Sequence, residues 1–162
     1  MVMENSNEHE KFMREAVKLS ADNMKSLKGG PFGAVVVKDG VIVGRGANSV
    51  TSLNDPTAHA EVMAIRDACK NLNSFQLDGC VIYSSCEPCP MCLGAIYWAR
   101  PSHLYFAAGR ADAAAAGFDD SYLYQQIPLE ISRRDLPTTQ LDASEAKEVF
   151  EQWIRLEQKT PY

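Results

Sequence analysis

The sequence predicts an α/β domain of three layers, an α/β/α sandwich on a mixed sheet. Three observations predict it. Helical and short-strand periodicities alternate in the order helix, hairpin, helix, strand, helix, strand, helix. The two strand–helix–strand steps are expected to run parallel and right-handed, while the hairpin adds an antiparallel pair. The length of 162 residues suits one domain, 1–162, with a real core and no second domain.

The elements follow in order. Over residues 8–27, Phe12, Ala16, Leu19 and Asn23 recur at helical spacing, with Met13, Val17 and Met24 beside them. Lys28-Gly29-Gly30-Pro31 stops that helix. Residues 34–37 and 41–46 read as strands joined by Lys38-Asp39-Gly40, since Asp-Gly tolerates positive φ. Residues 48–56 read as polar loop. Residues 58–71 form a helix with Val62, Ile65, Cys69 and Leu72 as its stripe and Met63 widening it. A strand over 80–84 is followed by a helix over 88–99, apolar on most sides and so expected to be buried. A strand over 103–108 and a short helix over 112–116 come next. Residues 117–139 read as loop-rich. A last helix over 143–158 places Ala146, Val149, Phe150 and Trp153 on one face.

Composition narrows the function classes. With 46% apolar and 23% charged residues, the chain is not disordered. No apolar run is long enough to span a membrane. The start, Met1 to Glu10, is polar and acidic, without the basic and apolar regions of a signal peptide; a cytoplasmic location is expected. Sixteen Lys+Arg against twenty-one Asp+Glu give 16 − 21 = −5, and Arg133-Arg134 is the only adjacent basic pair. Such a chain does not attract a polyanion by bulk charge, so a small molecule is expected rather than nucleic acid. Five cysteines in that setting point to metal binding or catalysis before disulfides.

The chemistry concentrates in two short motifs. His59-Ala60-Glu61 is followed by Glu87-Pro88-Cys89-Pro90-Met91-Cys92. His-x-Glu with Pro-Cys-x-x-Cys is the signature of zinc deaminases. A catalytic zinc takes three protein ligands and keeps the fourth position for water or hydroxide. His59, Cys89 and Cys92 supply the three, and the two thiolates balance the metal charge. At a helix start Cys89 and Cys92 share a face, and the helix dipole favours their ionised forms. His59 and Glu61, two apart, would point about 200° apart in mid-helix, but at a first turn both reach a pocket beyond the helix end. The metal is thus expected between two helix N-termini, with Glu61 as general acid–base and not as ligand.

Other readings of these residues stand beside that one. A bare Cys-x-x-Cys also serves structural zinc, redox pairs or buried thiols. Cys86-x-x-Cys89-x-x-Cys92 would allow a structural Cys3His site with Cys86 as fourth ligand; a non-catalytic zinc module of that kind has no use for Glu61. Cys86 is otherwise expected to end the strand behind the site. Cys69 and Cys80 read as core, and His9 and His103 as surface or strand-end residues.

Over about Glu10 to Tyr162 the chain resembles the cytidine deaminase-fold superfamily, and within it the bacterial guanine deaminases. The resemblance rests on Gly29-Gly30-Pro31-Phe32-Gly33-Ala34-Val35, Asn54-Asp55-Pro56-Thr57-Ala58-His59-Ala60-Glu61-Val62, the run from Cys86 to Tyr97, Ala116-Gly117-Phe118-Asp119-Asp120 and the terminal Tyr162. It implies a mixed five-stranded sheet and one zinc ion per subunit on His59, Cys89 and Cys92. It implies a homodimer whose C-terminal segment is exchanged, so that Tyr162 reaches over a partner's site. It also implies that Phe32 stacks near a purine base, that Asn48 contacts its ring and that Asp120 meets its exocyclic amine. Guanine offers N1–H and the C2 amine as donors, which a carboxylate accepts. Asp120 also suits a helix N-cap, Asn48 a turn, Phe32 plain core and Tyr162 a frayed end. The reaction implied is hydrolysis of guanine to xanthine and ammonia, with guanosine deamination and tRNA adenosine deamination as alternatives. Net acidity disfavours the tRNA alternative.

Overall fold

The computed structural model describes residues 6–162 and divides the chain into two compact units, one ending at Asp120 and one spanning Ser121–Tyr162. Met1 to Asn5, part of the polar start, lie outside the described residues.

The first unit opens with helix α1, Ser6–Lys25, which leads into strand β1, Gly33–Lys38, and strand β2, Val41–Ala47. The hairpin between them turns on Asp39 and Gly40, at φ 49° and 74°. Two positive φ values give the turn the twist that antiparallel strands need. The short helix α2, Val50–Leu53, occupies what reads in sequence as loop. Helix α3, Ala60–Leu72, strand β3, Cys80–Cys86, helix α4, Pro90–Ala99, strand β4, His103–Ala108, and helix α5, Arg110–Ala115, complete the unit.

Strand order is β2-β1-β3-β4. Strand β1 runs antiparallel to both β2 and β3, and β4 runs parallel to β3. Hence β2, β3 and β4 share one direction, as the two crossover steps require. Among the described residues the sheet has four strands, not five. The fifth strand is implied by the resemblance alone; after Ala108 the chain enters helix α5, where the sequence reads a short helix over 112–116, and four of its six residues are alanine, the strongest helix former.

Strand β1 shows why there are three layers. Ala34 and Val36 pack with Ala60, Ala64 and Ala68 of α3 and with Ile96 and Ala99 of α4. Val35 and Val37 face the other way, against Phe12 and Ala16 of α1 and Tyr83. A strand buried on both sides reads as a continuous apolar run, which this one is. Helix α3 lies close on β2: a Cβ at Gly46 would collide with the Ala60 carbonyl. That glycine lets the first turn of α3 sit directly on the sheet and fixes where His59 emerges.

Two expectations are corrected. Helix α4 buries only Cys92, Ile96 and Ala99, while Tyr97 and Trp98 are 75% and 66% exposed. An apolar helix packs one face on the sheet, and no further layer of this unit covers the other. His9 is not a surface residue: it is half-buried, its Nδ1 lies 2.6 Å from the Tyr83 hydroxyl, and its ring packs on Tyr105. His103 opens β4, is exposed, and stacks on Tyr105.

The second unit contains helix α6, Ser121–Gln126, a 3-10 turn at Ile131–Arg133 and helix α7, Ser144–Arg155. Gln126 and Asp135 close its loop reciprocally: the Asp135 N–H donates to Gln126 Oε1 at 2.8 Å and Gln126 Nε2 donates to Asp135 Oδ2 at 3.0 Å. The apolar face of α7, with Val149, Phe150, Trp153 and Ile154, is exposed. Among the described residues no helix is long and apolar enough to cross a membrane.

Candidate metal centre

One edge of the sheet gathers the candidate residues of the first unit. Strands β2, β3 and β4 end at Ala47, Cys86 and Ala108, and antiparallel β1 begins there at Gly33. The pairs Gly33–Ala47, Ala34–Ser84 and Cys86–Ala108 lie in register, so Phe32, Asn48, Glu87 and Gly109 all leave the sheet at this edge. The carboxyl edge of an α/β sheet is where such folds bind ligands.

Two helices start at the same edge. His59 is the N-cap of α3 and Cys89 the N-cap of α4, both with extended backbone. Pro90 at the first position of α4 pre-sets helical φ and has no N–H to satisfy. Capping places both side chains outside the helical run, and Cys92 follows from within the first turn of α4. His59 Nδ1 lies 3.6 Å from Cys89 Sγ and 3.4 Å from Cys92 Sγ, and the three ligand atoms fall within 4.8 Å of one another. Zinc at about 2.0–2.1 Å from nitrogen and about 2.3 Å from sulfur, at tetrahedral angles, spans an N···S edge of roughly 3.6 Å. The three side chains therefore fit zinc, with Nδ1 as the histidine donor atom. Cys86 lies outside this group. It is buried, its Sγ is 3.9 Å from the Gly109 carbonyl, and burial pushes its thiol up.

Electrostatics suits the assignment. In the metal-free protein the Cys92 thiol donates to Cys89, which brings Cys89 down to about 4. The same hydrogen bond, with burial, holds Cys92 above the ordinary thiol range. The pair thus keeps one proton between its two sulfurs. The Cys89 interaction raises His59 against the opposing effect of burial.

Glu61, in the first turn of α3, is 6% exposed, and burial raises its carboxyl. The Ser84 hydroxyl donates to its Oε1 at 3.3 Å. A desolvated carboxyl held by a hydrogen bond beside these three ligand atoms has the chemistry to exchange protons there. Ser84 has no part in the sequence motifs, yet two serines at the end of an apolar strand are the signal that marks it.

The remaining candidates are placed as follows. Phe32 packs edge-to-face on Phe118, centroids 4.9 Å apart. Asn48 is buried; its Oδ1 accepts from the N–H groups of Gly30 at 3.2 Å and Val50 at 3.4 Å. Its Nδ2 makes no hydrogen bond among the described residues and is left as a donor. Asp120 closes the first unit and accepts from Arg110 Nε on Oδ1 at 3.4 Å. Arg110 was not singled out in the sequence, and its backbone N–H in turn donates to Glu87 Oε2 at 3.2 Å. Tyr162, in the second unit, is 72% exposed.

Comparison with known proteins agrees with this geometry. Residues 6–108 match the cytidine and deoxycytidylate deaminase zinc-binding region. The chain is 53% identical over 154 residues to guanine deaminase of Bacillus subtilis (strain 168), covering 95% of this chain and 99% of that one. The crystal structure of guanine deaminase from Bacillus subtilis superposes with a TM-score of 0.93 at 52% identity, covering 95% of this chain and 98% of the other. The tRNA-specific adenosine deaminase of Haemophilus influenzae is 42% identical over 117 residues, covering 68% of this chain and 67% of that protein. With the matched region spanning both motifs and all four strands, the chain belongs to the cytidine and deoxycytidylate deaminase family of zinc-binding proteins.

Proposed function

We propose that this chain is a zinc-dependent guanine deaminase that adds water across C2 of guanine and releases xanthine and ammonia. One observation carries the substrate: identity to the Bacillus guanine deaminase extends over nearly the full length of both chains, through the second unit as well as the zinc region. Zinc held by His59, Cys89 and Cys92 supplies Lewis-acid activation, which brings the pKa of a water to about 7. Glu61 takes the proton from the attacking water and passes it to N3, then carries the proton of the new C2 hydroxyl to the amine as the C2–N bond breaks and the C2 carbonyl forms. Phe32 stacks on the base, Asn48 Nδ2 donates to an acceptor on its edge, and Asp120 accepts from N1–H and the amine.

The test is ammonia release from zinc-loaded protein given guanine, guanosine, cytosine, adenine or tRNA in turn. Release from guanine alone is expected. Preference for guanosine, or turnover of adenosine in tRNA without guanine, would replace this reading.

Asp120→Asn is expected to lower kcat/KM for guanine about 5- to 150-fold, with zinc retained. An amide turns an NH2 toward a donor on the base, and an unpaired buried donor costs about 1–3 kcal/mol. Asp120 Oδ2 takes no hydrogen bond among the described residues, which leaves it open to the substrate. Unchanged kinetics would return Asp120 to an ion pair with Arg110 and nothing more.

The working form in this reading is a cytoplasmic homodimer of one deaminase domain, with the C-terminal segment exchanged. Large apolar side chains exposed on the single chain support it: Tyr97 and Trp98 on α4, Phe150 and Ile154 on α7. Five free thiols fit a reducing compartment. Deleting Thr160 to Tyr162 is expected to abolish most activity. Mixing that protein with inactive Glu61→Gln restores about a quarter of the wild-type rate once subunits re-pair at random. A mixture that stays inactive after exchange means the tail acts on its own subunit, and a deletion with full activity removes it from the site.

A further inference from the structure

Asn23 is the polar member of the buried stripe of α1, in line with Phe12 and Ala16 and only 8% exposed. Its amide nitrogen donates twice, to the Gly30 carbonyl at 2.8 Å and to the Asn48 carbonyl at 2.9 Å. Those carbonyls belong to the two segments that carry Phe32 and Asn48. Around them the packing leaves little slack. The Asn48 N–H donates to the Phe32 carbonyl at 3.1 Å, and the Ser20 hydroxyl of α1 donates to the Pro31 carbonyl at 2.6 Å. A Cβ at Gly29 would collide with the Asn48 carbonyl.

Every polar atom of Asn48 except Nδ2 is thereby engaged. Its N–H goes to Phe32, its carbonyl to Asn23, and its Oδ1 to Gly30 and Val50. A carboxamide whose oxygen is spent inside the protein cannot flip to accept. It is fixed as a donor.

We propose that Asn23 is a positioning residue for substrate recognition: by clamping the Gly30 and Asn48 carbonyls together it orients Asn48 so that Nδ2 faces an acceptor on the purine edge. This rests on the deaminase reading above and adds a residue that acts only through Asn48. Guanine presents acceptors at N3, O6 and N7; a base edge with donors alone is excluded by the same orientation.

The test compares the zinc-loaded wild type with Asn23→Ala, Asn48→Ala and the double variant, measuring kcat and KM for guanine, zinc content and Tm. Wild-type turnover of guanine is measured first, and its absence removes the deaminase reading rather than this one. Given turnover, Asn23→Ala is expected to raise KM about tenfold with kcat changed less than about threefold and zinc stoichiometric. In the Asn48→Ala background the same change has no further effect on KM, because the side chain it positions is gone. Asn23→Ser, which keeps one donor, moves KM in the same direction and is read in the same way if the alanine protein does not fold. An unchanged KM, or an equal effect with and without the Asn48 side chain, overturns the proposal.

Discussion

Glu61→Gln is expected to keep stoichiometric zinc and to lose about 10²–10⁴-fold in guanine turnover, the ordinary yield of a positioned general acid–base group. The substitution preserves shape and keeps an oxygen for the Ser84 hydroxyl, so geometry is held while the proton carrier is removed. Because Glu61 serves several transfers in one cycle, the upper end of that range is expected. The same change acts on stability in the opposite sense. Burial raises the Glu61 carboxyl in the folded, metal-free protein above its unfolded value. A raised carboxylate pKa means that the folded state holds its proton more tightly. The stability it contributes is full below the unfolded pKa and is lost as pH rises through the folded one. Above the unfolded pKa the raised carboxyl is therefore a cost, and at neutral pH metal-free Glu61→Gln melts at a higher temperature than the metal-free wild type. That gap closes in acid. Zinc content, kcat and Tm on one preparation read all of this. Full activity, or loss of metal with the substitution, removes Glu61 from the proton path.

What was legible in the sequence was local. Cys89-x-x-Cys92 falls within one helical turn, so spacing predicts a shared direction, and His59-x-Glu61 converges because it opens a helix, which the local pattern also shows. The hairpin at Asp39-Gly40 and the double-sided burial of β1 follow from equally short patterns. The partners that support the site were not legible, because each is distant in sequence. Ser84 reaches Glu61 across 23 positions, Asn23 reaches Asn48 across 25, and His9 reaches Tyr83 across 74. Asn23 was visible as a polar residue on an apolar stripe, but a helical pattern cannot say what a buried amide grips. Helix α4 shows a different failure. An apolar surface on all sides predicts burial without saying by what, and Tyr97 and Trp98 stay exposed on the single chain. Helix α6 and the 3-10 turn are too short for periodicity to register, so the stretch over 117–139 read as loop.

The second large effect separates three cysteines with identical spacing. Cys89→Ser and Cys92→Ser are each expected to hold zinc well below one equivalent and to release no measurable ammonia from guanine. Cys86→Ser is expected to keep both metal and most activity. The grounds are positional. Cys89 and Cys92 lie 3.6 and 3.4 Å from the same histidine nitrogen at a helix N-terminus, whereas Cys86 ends β3 and faces the Gly109 carbonyl. Protons give an independent readout. Cys89 is already a thiolate in the metal-free pair, at about 4, while Cys92 retains its hydrogen. Zinc binding at neutral pH therefore expels the Cys92 proton, and zinc affinity falls as pH is lowered because protons compete for the same sulfur. Calorimetry of zinc uptake in buffers of different ionisation enthalpy counts the protons released. Cys92→Ser lowers that count along with affinity, and Cys86→Ser leaves it unchanged. Zinc loss in Cys86→Ser equal to that in the other two would make Cys86 a fourth ligand, close the coordination shell to water and turn the centre into a structural one.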